Sequence, residues 1–217
     1  MFWHGILALF GINRAPRIVT FRAYKKGQRP VREGLPPRPP WTGPPEDEVG
    51  IAVSVRTVLI SQPRLFIAVT DCAAYSNGFS LSLAMRSRDE IPMRQLGFPG
   101  PNSEPDRAAG IQIGVRFSDG RAVSEDRHQP DSAVASYDRD WSEGKDPQPP
   151  VGPVIGQSGG GGGGRTWNYT YFIWPLPPDG PVMITCKWPA RGLQAAGKEI
   201  NGTAIRAAGL KSHSVWG

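Results

Sequence analysis

From Val49 onward, apolar and polar positions alternate with the period of two that a half-buried strand requires. Ile51, Val53, Val55 and Leu59 open the pattern, and Ser61-Gln62-Pro63 turns it. Leu65 to Cys72 is nearly continuous in apolar residues, as a buried strand is. Ala73 to Asn77 turns again, with Asn77-Gly78 suited to positive φ. Phe79, Leu81, Leu83 and Met85 then alternate with Ser80, Ser82, Ala84 and Arg86, which predicts a strand with one face in a core. Three such strands joined by short turns predict an antiparallel meander.

The second half repeats the theme with longer interruptions. Arg88 to Gly110 reads as a long loop, and Ile111, Ile113, Val115 and Phe117 form the next alternating strand. Asp119-Gly120 is a hairpin turn, and Ala122-Val123 begins the return. Glu125 to Pro150 has mixed charge and little aliphatic content, so a mobile insertion is expected at 125–150. Val151 to Ile155 predicts a short edge strand. Two strongly apolar strands follow, Trp167 to Trp174 and Val182 to Trp188, joined through Pro175-Leu-Pro-Pro-Asp-Gly-Pro181 and expected to pair as a hairpin. Asn201-Gly202 is a further turn signal, and Ile205, Ala208 and Leu210 have the spacing of a short C-terminal helix. Trp216 is expected to fold back onto the core. Seven to nine strands separated by turn signals predict an all-β fold, an antiparallel β-sandwich, with a barrel as the alternative.

The densest apolar and aromatic stretch follows six consecutive glycines, Gly159–Gly164. On the strand behind them, Trp167, Tyr169, Tyr171 and Ile173 share one face, and Asn168, Thr170, Phe172 and Trp174 share the other. Aromatic residues at strand spacing are core in most proteins. The sharper reading is a contact surface of Arg165, Trp167, Tyr169, Phe172 and Trp174 beside a deformable glycine loop at 156–165. The pattern argues strongly against a phosphate-binding loop or a Rossmann turn. Both need spaced glycines and a helix N-terminus behind them, whereas Arg165-Thr166 leads into a strand. Unbroken glycine is costly to order, so a solvated, mobile loop is expected.

Trp41-Thr-Gly-Pro-Pro45, Ala74-Tyr75 with Gly78-Phe79, the glycine run, Trp174-Pro-Leu-Pro-Pro178, Gly180-Pro181 and Trp188-Pro-Ala190 are distinctive together. In these motifs the chain resembles a family of uncharacterised soluble actinobacterial proteins, over about Pro40 to Trp216. The resemblance implies a common fold and a bacterial cytoplasmic setting. It assigns no functional residue.

Charge divides the chain. Arg14, Arg17, Arg22, Lys25, Lys26, Arg29 and Arg32 are seven cations with no acid among them. The remainder carries 25 − 7 = 18 cations against 19 acids, a balance of −1. The folded part is therefore nearly neutral, which argues against a nucleic-acid partner. Residues 1–48 read as a flexible basic and proline-rich arm, and 49–217 as a single domain. Trp41 is expected to dock on that domain as an anchor. The apolar run Phe2 to Ile12 is too short to span a bilayer and lacks the basic start of a signal peptide. With the cations behind it, residues 1–32 could touch an anionic membrane surface weakly.

No recognisable catalytic pattern is present. Cys72 and Cys186 are too few for a disulfide scaffold or a zinc site and are expected as reduced, buried thiols. His4, His128 and His213 have no metal-ligand spacing, so no metal and no cofactor is expected. Asp71, or Asp89-Glu90, could be offered as acid/base groups, but strand-end carboxylates are ordinarily solvated. The sequence thus favours a non-catalytic binding module for an unknown protein partner. The alternative is an enzyme with a site assembled from distant loops.

Overall fold

The computed structural model describes residues 38–96, 110–125, 133–145 and 148–216. The basic run, the apolar start and the proposed membrane contact of residues 1–32 lie outside them, as do His4 and His128.

Among the described residues ten strands form two antiparallel sheets, so the expected all-β sandwich is what the chain builds, with more strands than its pattern suggested. The larger sheet holds β1 (Ile51–Val53), β2 (Thr57–Gln62), β3 (Leu65–Ala74), β4 (Phe79–Ser87), β7 (Val154–Gly163) and β8 (Thr166–Trp174). Its order is β1-β3-β4-β8-β7, with β2 also on β3. The smaller sheet holds β5 (Gln112–Arg116), β6 (Ala122–Ser124), β9 (Pro181–Trp188) and β10 (Leu193–Asn201), in the order β10-β9-β5-β6.

The alternating run from Ile51 to Leu59 becomes two strands because both share one edge of β3. Strand β2 pairs with Leu65 to Val69, and β1 pairs with Cys72 to Ala74. Between these halves the β3–β4 register shifts, with Val69 opposite Leu83 and Asp71 opposite Ser82. The extra residue, Thr70, is a bulge that returns Cys72 to the core face. Both Val69 and Cys72 are buried, although they are an odd number of positions apart.

Strands β8 and β9 were expected as a hairpin and are not one. Strand β8 pairs with β4 and β7 in the larger sheet, while β9 pairs with β5 and β10 in the smaller. Pro175, Pro177, Pro178 and Pro181 have no N–H to continue a ladder, and the link they form carries the chain from one sheet to the other.

The core is sealed by Trp188, fully buried, whose indole Nε1–H donates to the Gln95 carbonyl at 2.7 Å. Gln95 belongs to a short 3-10 turn, Met93–Leu96, which with Ile91 buries apolar residues from the expected long loop. The Arg191 guanidinium lies 5.1 Å from the centre of the Trp188 ring and donates from Nε to Gln95 Oε1 at 3.1 Å.

A smaller cluster joins Trp41, Val154 and Tyr137, with Trp174 packed against it. Trp41 meets both Tyr137 and Trp174 edge to face at 6.3 Å. It is therefore the anchor its position suggested, and the described residues 38–48 are bound into the domain rather than belonging to a flexible arm. Asn77 Nδ2 donates to the Pro40 and Gly43 carbonyls at 2.8 and 2.9 Å. Glu48 accepts from Ser76 N at 2.8 Å, from Ser76 Oγ, and from Ser212 Oγ at 2.7 Å. Burial raises the Glu48 carboxyl's pKa, but these hydrogen bonds outweigh it and hold the group below its usual range.

Tyr137 belongs to α1 (Ala133–Ser142), so the expected mobile insertion contains a helix. The expected C-terminal helix is α2 (Gly202–Gly209), where Asn201 Oδ1 accepts from Ala204 N at 2.9 Å and Ile205 is fully buried. Trp216 does not fold back and is 83% exposed. The Glu48–Ser214 bridge and the bond from Val215 N to the Asp47 carbonyl fix the tail at the surface.

Both cysteines are free and buried, and burial pushes each thiol up to about 12, with the Asp71 charge adding at Cys72. At mildly alkaline pH both should resist a thiol reagent in the native protein and react once guanidinium unfolds it. Rapid native labelling would show that these sites open. Replacing Trp188 with alanine should cost about 3–5 kcal/mol in urea unfolding, as other large-to-small aromatic core changes do.

Candidate functional site

The residues expected to form a contact surface occupy different environments. Arg165 is exposed in the β7–β8 turn. Trp167, Tyr169 and Phe172 are buried, at 5%, 3% and 2% exposure, and Trp174 is half-buried beside Trp41. Trp167 stacks on Tyr169 at 6.4 Å with their planes 10° apart, and Tyr169 continues to Tyr171 at 6.3 Å. This inward row belongs to the core. Phe172 points to the opposite face, where Tyr75 covers it at 6.4 Å. The aromatic surface is thus corrected to an aromatic interior, because the second sheet covers one face of β8 and Tyr75 with Trp41 covers the end of the other.

The glycine run is corrected as well. It is not a loop: Gly159–Gly163 form half of strand β7, antiparallel to β8, and Gly164 lies in the turn behind them. Gly160 lies opposite Tyr169 and Gly162 opposite Trp167. A side chain has no room at either position. A Cβ on Gly160 would lie 2.5 Å from the Asn168 carbonyl oxygen, and one on Gly162 would lie 2.3 Å from that of Thr166 and 3.0 Å from the Trp167 ring. The β8 backbone itself thus comes too close for a side chain at these two positions, with the Tyr169 and Trp167 rings next nearest. Gly161 and Gly163 differ, since a Cβ there would meet nothing within 4 Å. Gly164, at φ +54°, closes the turn.

Strand β7 is the last strand of its sheet, so one of its edges has no strand partner among the described residues. From Val154 to Gly163 it carries no charged residue and no proline. Exposed edges are ordinarily protected by such residues. A bulge at Ser158 interrupts the ladder between Gln157 and Gly159. Beyond it, the backbone groups of Gly159 to Gly163 that face away from β8 have no side chain beside them.

At the turn end of β7 the charge is positive. The Arg165 carbonyl accepts from Ser87 N at 2.9 Å, and the Gly164 carbonyl accepts from Ile91 N at 2.9 Å. Arg64 grips Asp89 through two nitrogens, one of them Nε at 2.6 Å. This hydrogen bond, with Arg191 and Arg165 also near, holds the Asp89 carboxyl below the usual carboxylate range. Asp89 is thereby engaged in an ion pair at the surface. Among the described residues, no three His, Cys, Asp or Glu side chains converge as a metal site requires.

The free edge was illegible in the sequence because it depends on which strand ends the sheet. The absence of charge from Val154 to Gly164 was the available signal. The chain matches no protein-family model, no curated protein and no solved structure.

The glycines should differ in their tolerance of a side chain. Gly162→Val should lower stability by more than about 2 kcal/mol, a size that marks steric disruption. Gly161→Val should leave stability unchanged or raise it by up to about 1 kcal/mol. Urea unfolding of the two variants would measure this, and equal losses would contradict the strand register.

Proposed function

We propose that the protein is a non-catalytic interaction module whose contact element is the free edge of β7, which takes an extended segment of a protein partner as an added strand. The observation that carries this reading is the uncharged backbone from Gly159 to Gly163 at the end of a sheet. Strand addition draws its affinity from main-chain hydrogen bonds. Glycine presents those groups with no side chain to screen them. Trp167 and Tyr169 contribute from behind, by holding the glycines extended, and Arg165 stands at the end of the edge as a cation for an acidic flank.

The test is capture from native-host lysate with the full chain, beside Gly161→Lys. This change puts a charge on the edge at a position with space for a side chain. A partner held by the wild-type protein should be lost with the variant, while the variant's unfolding curve stays unchanged. The bound partner should also slow amide exchange at Gly159–Gly163. Capture that survives Gly161→Lys, or protection mapping elsewhere, would refute strand addition.

A further inference from the structure

The outward face of the larger sheet bears a second feature. An open trough of about 450 Å³ crosses strands β3, β4 and β8 and reaches Ser158 of β7, whose hydroxyl donates to the Thr170 carbonyl at 3.3 Å. Its floor is a cross-strand row. Asp71 lies opposite Ser82, and Ser82 opposite Thr170, with Ser80 in the adjoining row opposite Ala73. Adjacent strands lie about 4.8 Å apart, so these groups form a short polar ladder at that spacing. Tyr75 stands at one wall and Arg38 lines the trough.

The polar groups here are unusually open. Ser80, Ser82 and Thr170 are half-buried, yet their hydroxyls make no hydrogen bond to another described residue, and neither does the Tyr75 phenol. Asp71 Oδ1 accepts from Cys72 N at 2.8 Å, which leaves its second oxygen open. Four unbonded hydroxyls, those of Ser80, Ser82, Thr170 and Tyr75, thus line the trough with the Ser158 hydroxyl, one carboxylate acceptor and one guanidinium donor.

This inventory selects among ligand chemistries. The charges of Arg38 and Asp71 cancel, so neither a phosphate nor a cation meets a net opposite charge. A single carboxylate cannot form a metal cage. A floor of hydroxyls gives an apolar ligand nothing to exclude water against. What matches is a flat, uncharged ligand whose own groups both donate and accept, and which offers C–H surface to the Tyr75 ring. We propose that the trough binds a neutral saccharide lying across β3, β4 and β8, with its hydroxyls paired to Ser80, Ser82, Thr170 and Asp71.

Titration of the isotope-labelled full chain with maltotriose, cellotriose and triacetylchitotriose, followed by amide NMR, tests this. At least one should give saturable shifts at Ser80, Ser82 and Thr170. Thr170→Val keeps the side-chain shape and removes the hydroxyl, and it should weaken that binding about 5–10-fold, the worth of one hydrogen bond left unmade. Gly163→Lys, at the far end of β7 where a side chain meets nothing within 4 Å, should leave it unchanged. Three outcomes would overturn the proposal. These are no saturable shift at those residues with any of the three sugars, wild-type affinity in Thr170→Val, or tighter binding of trigalacturonate, which would make charge the basis of recognition.

Discussion

Strand β8 is the element on which the rest of the structure depends. It is paired on both edges, with β4 and β7, and its inward row of Trp167, Tyr169, Tyr171 and Ile173 is buried. Its consequence is clearest in β7. A run of glycines has the largest backbone entropy to lose and no side chains to bury in return. What holds it extended is the ladder to β8, whose backbone approaches Gly160 and Gly162 too closely for any side chain. The bulky residues of one strand and the bare residues of its neighbour form one packing unit.

The same unit creates the surface we propose as functional. The rings carry the apolar burial, so β7 can end the sheet without a protective charge. The opposite face of β8 is different. There Thr170 joins Ser82 and Asp71 in a polar row, with Phe172 covered by Tyr75 at the side. Core, edge and polar trough are therefore three directions from one strand. A strand addition at the edge and a saccharide on the face would use separate groups, backbone amides for one and side-chain hydroxyls for the other.

Much of the architecture was legible in local pattern. The alternation of Phe79, Leu81, Leu83 and Met85 with Ser80, Ser82 and Arg86 states which face of β4 is buried, the same two-residue period locates β5, and a nearly continuous apolar run locates β3. Trp41 was recognisable as an anchor because a lone large ring in a proline-rich stretch has little other use. The candidate site was read less well. The rings of Trp167, Tyr169 and Phe172 suggested a surface, but their exposure depends on what packs over them, and that is supplied by residues distant in sequence. Helix α1 was masked by its charged, aliphatic-poor surroundings, and it is Tyr137 meeting Trp41 that ties it to the domain.

By itself, the sequence determined the class of fold, the strands with one or two buried faces, the turns at Asn77-Gly78 and Asp119-Gly120, and the concentration of charge before residue 33. Each follows from neighbours within a few positions, through side-chain period or backbone preference. Only the tertiary structure decided that β8 and β9 belong to different sheets, that the glycine run is a strand, and that β7 ends its sheet. Strand pairing joins residues far apart in the chain, and the conformation of a glycine is chosen by its partner, because glycine has no side chain with which to choose for itself.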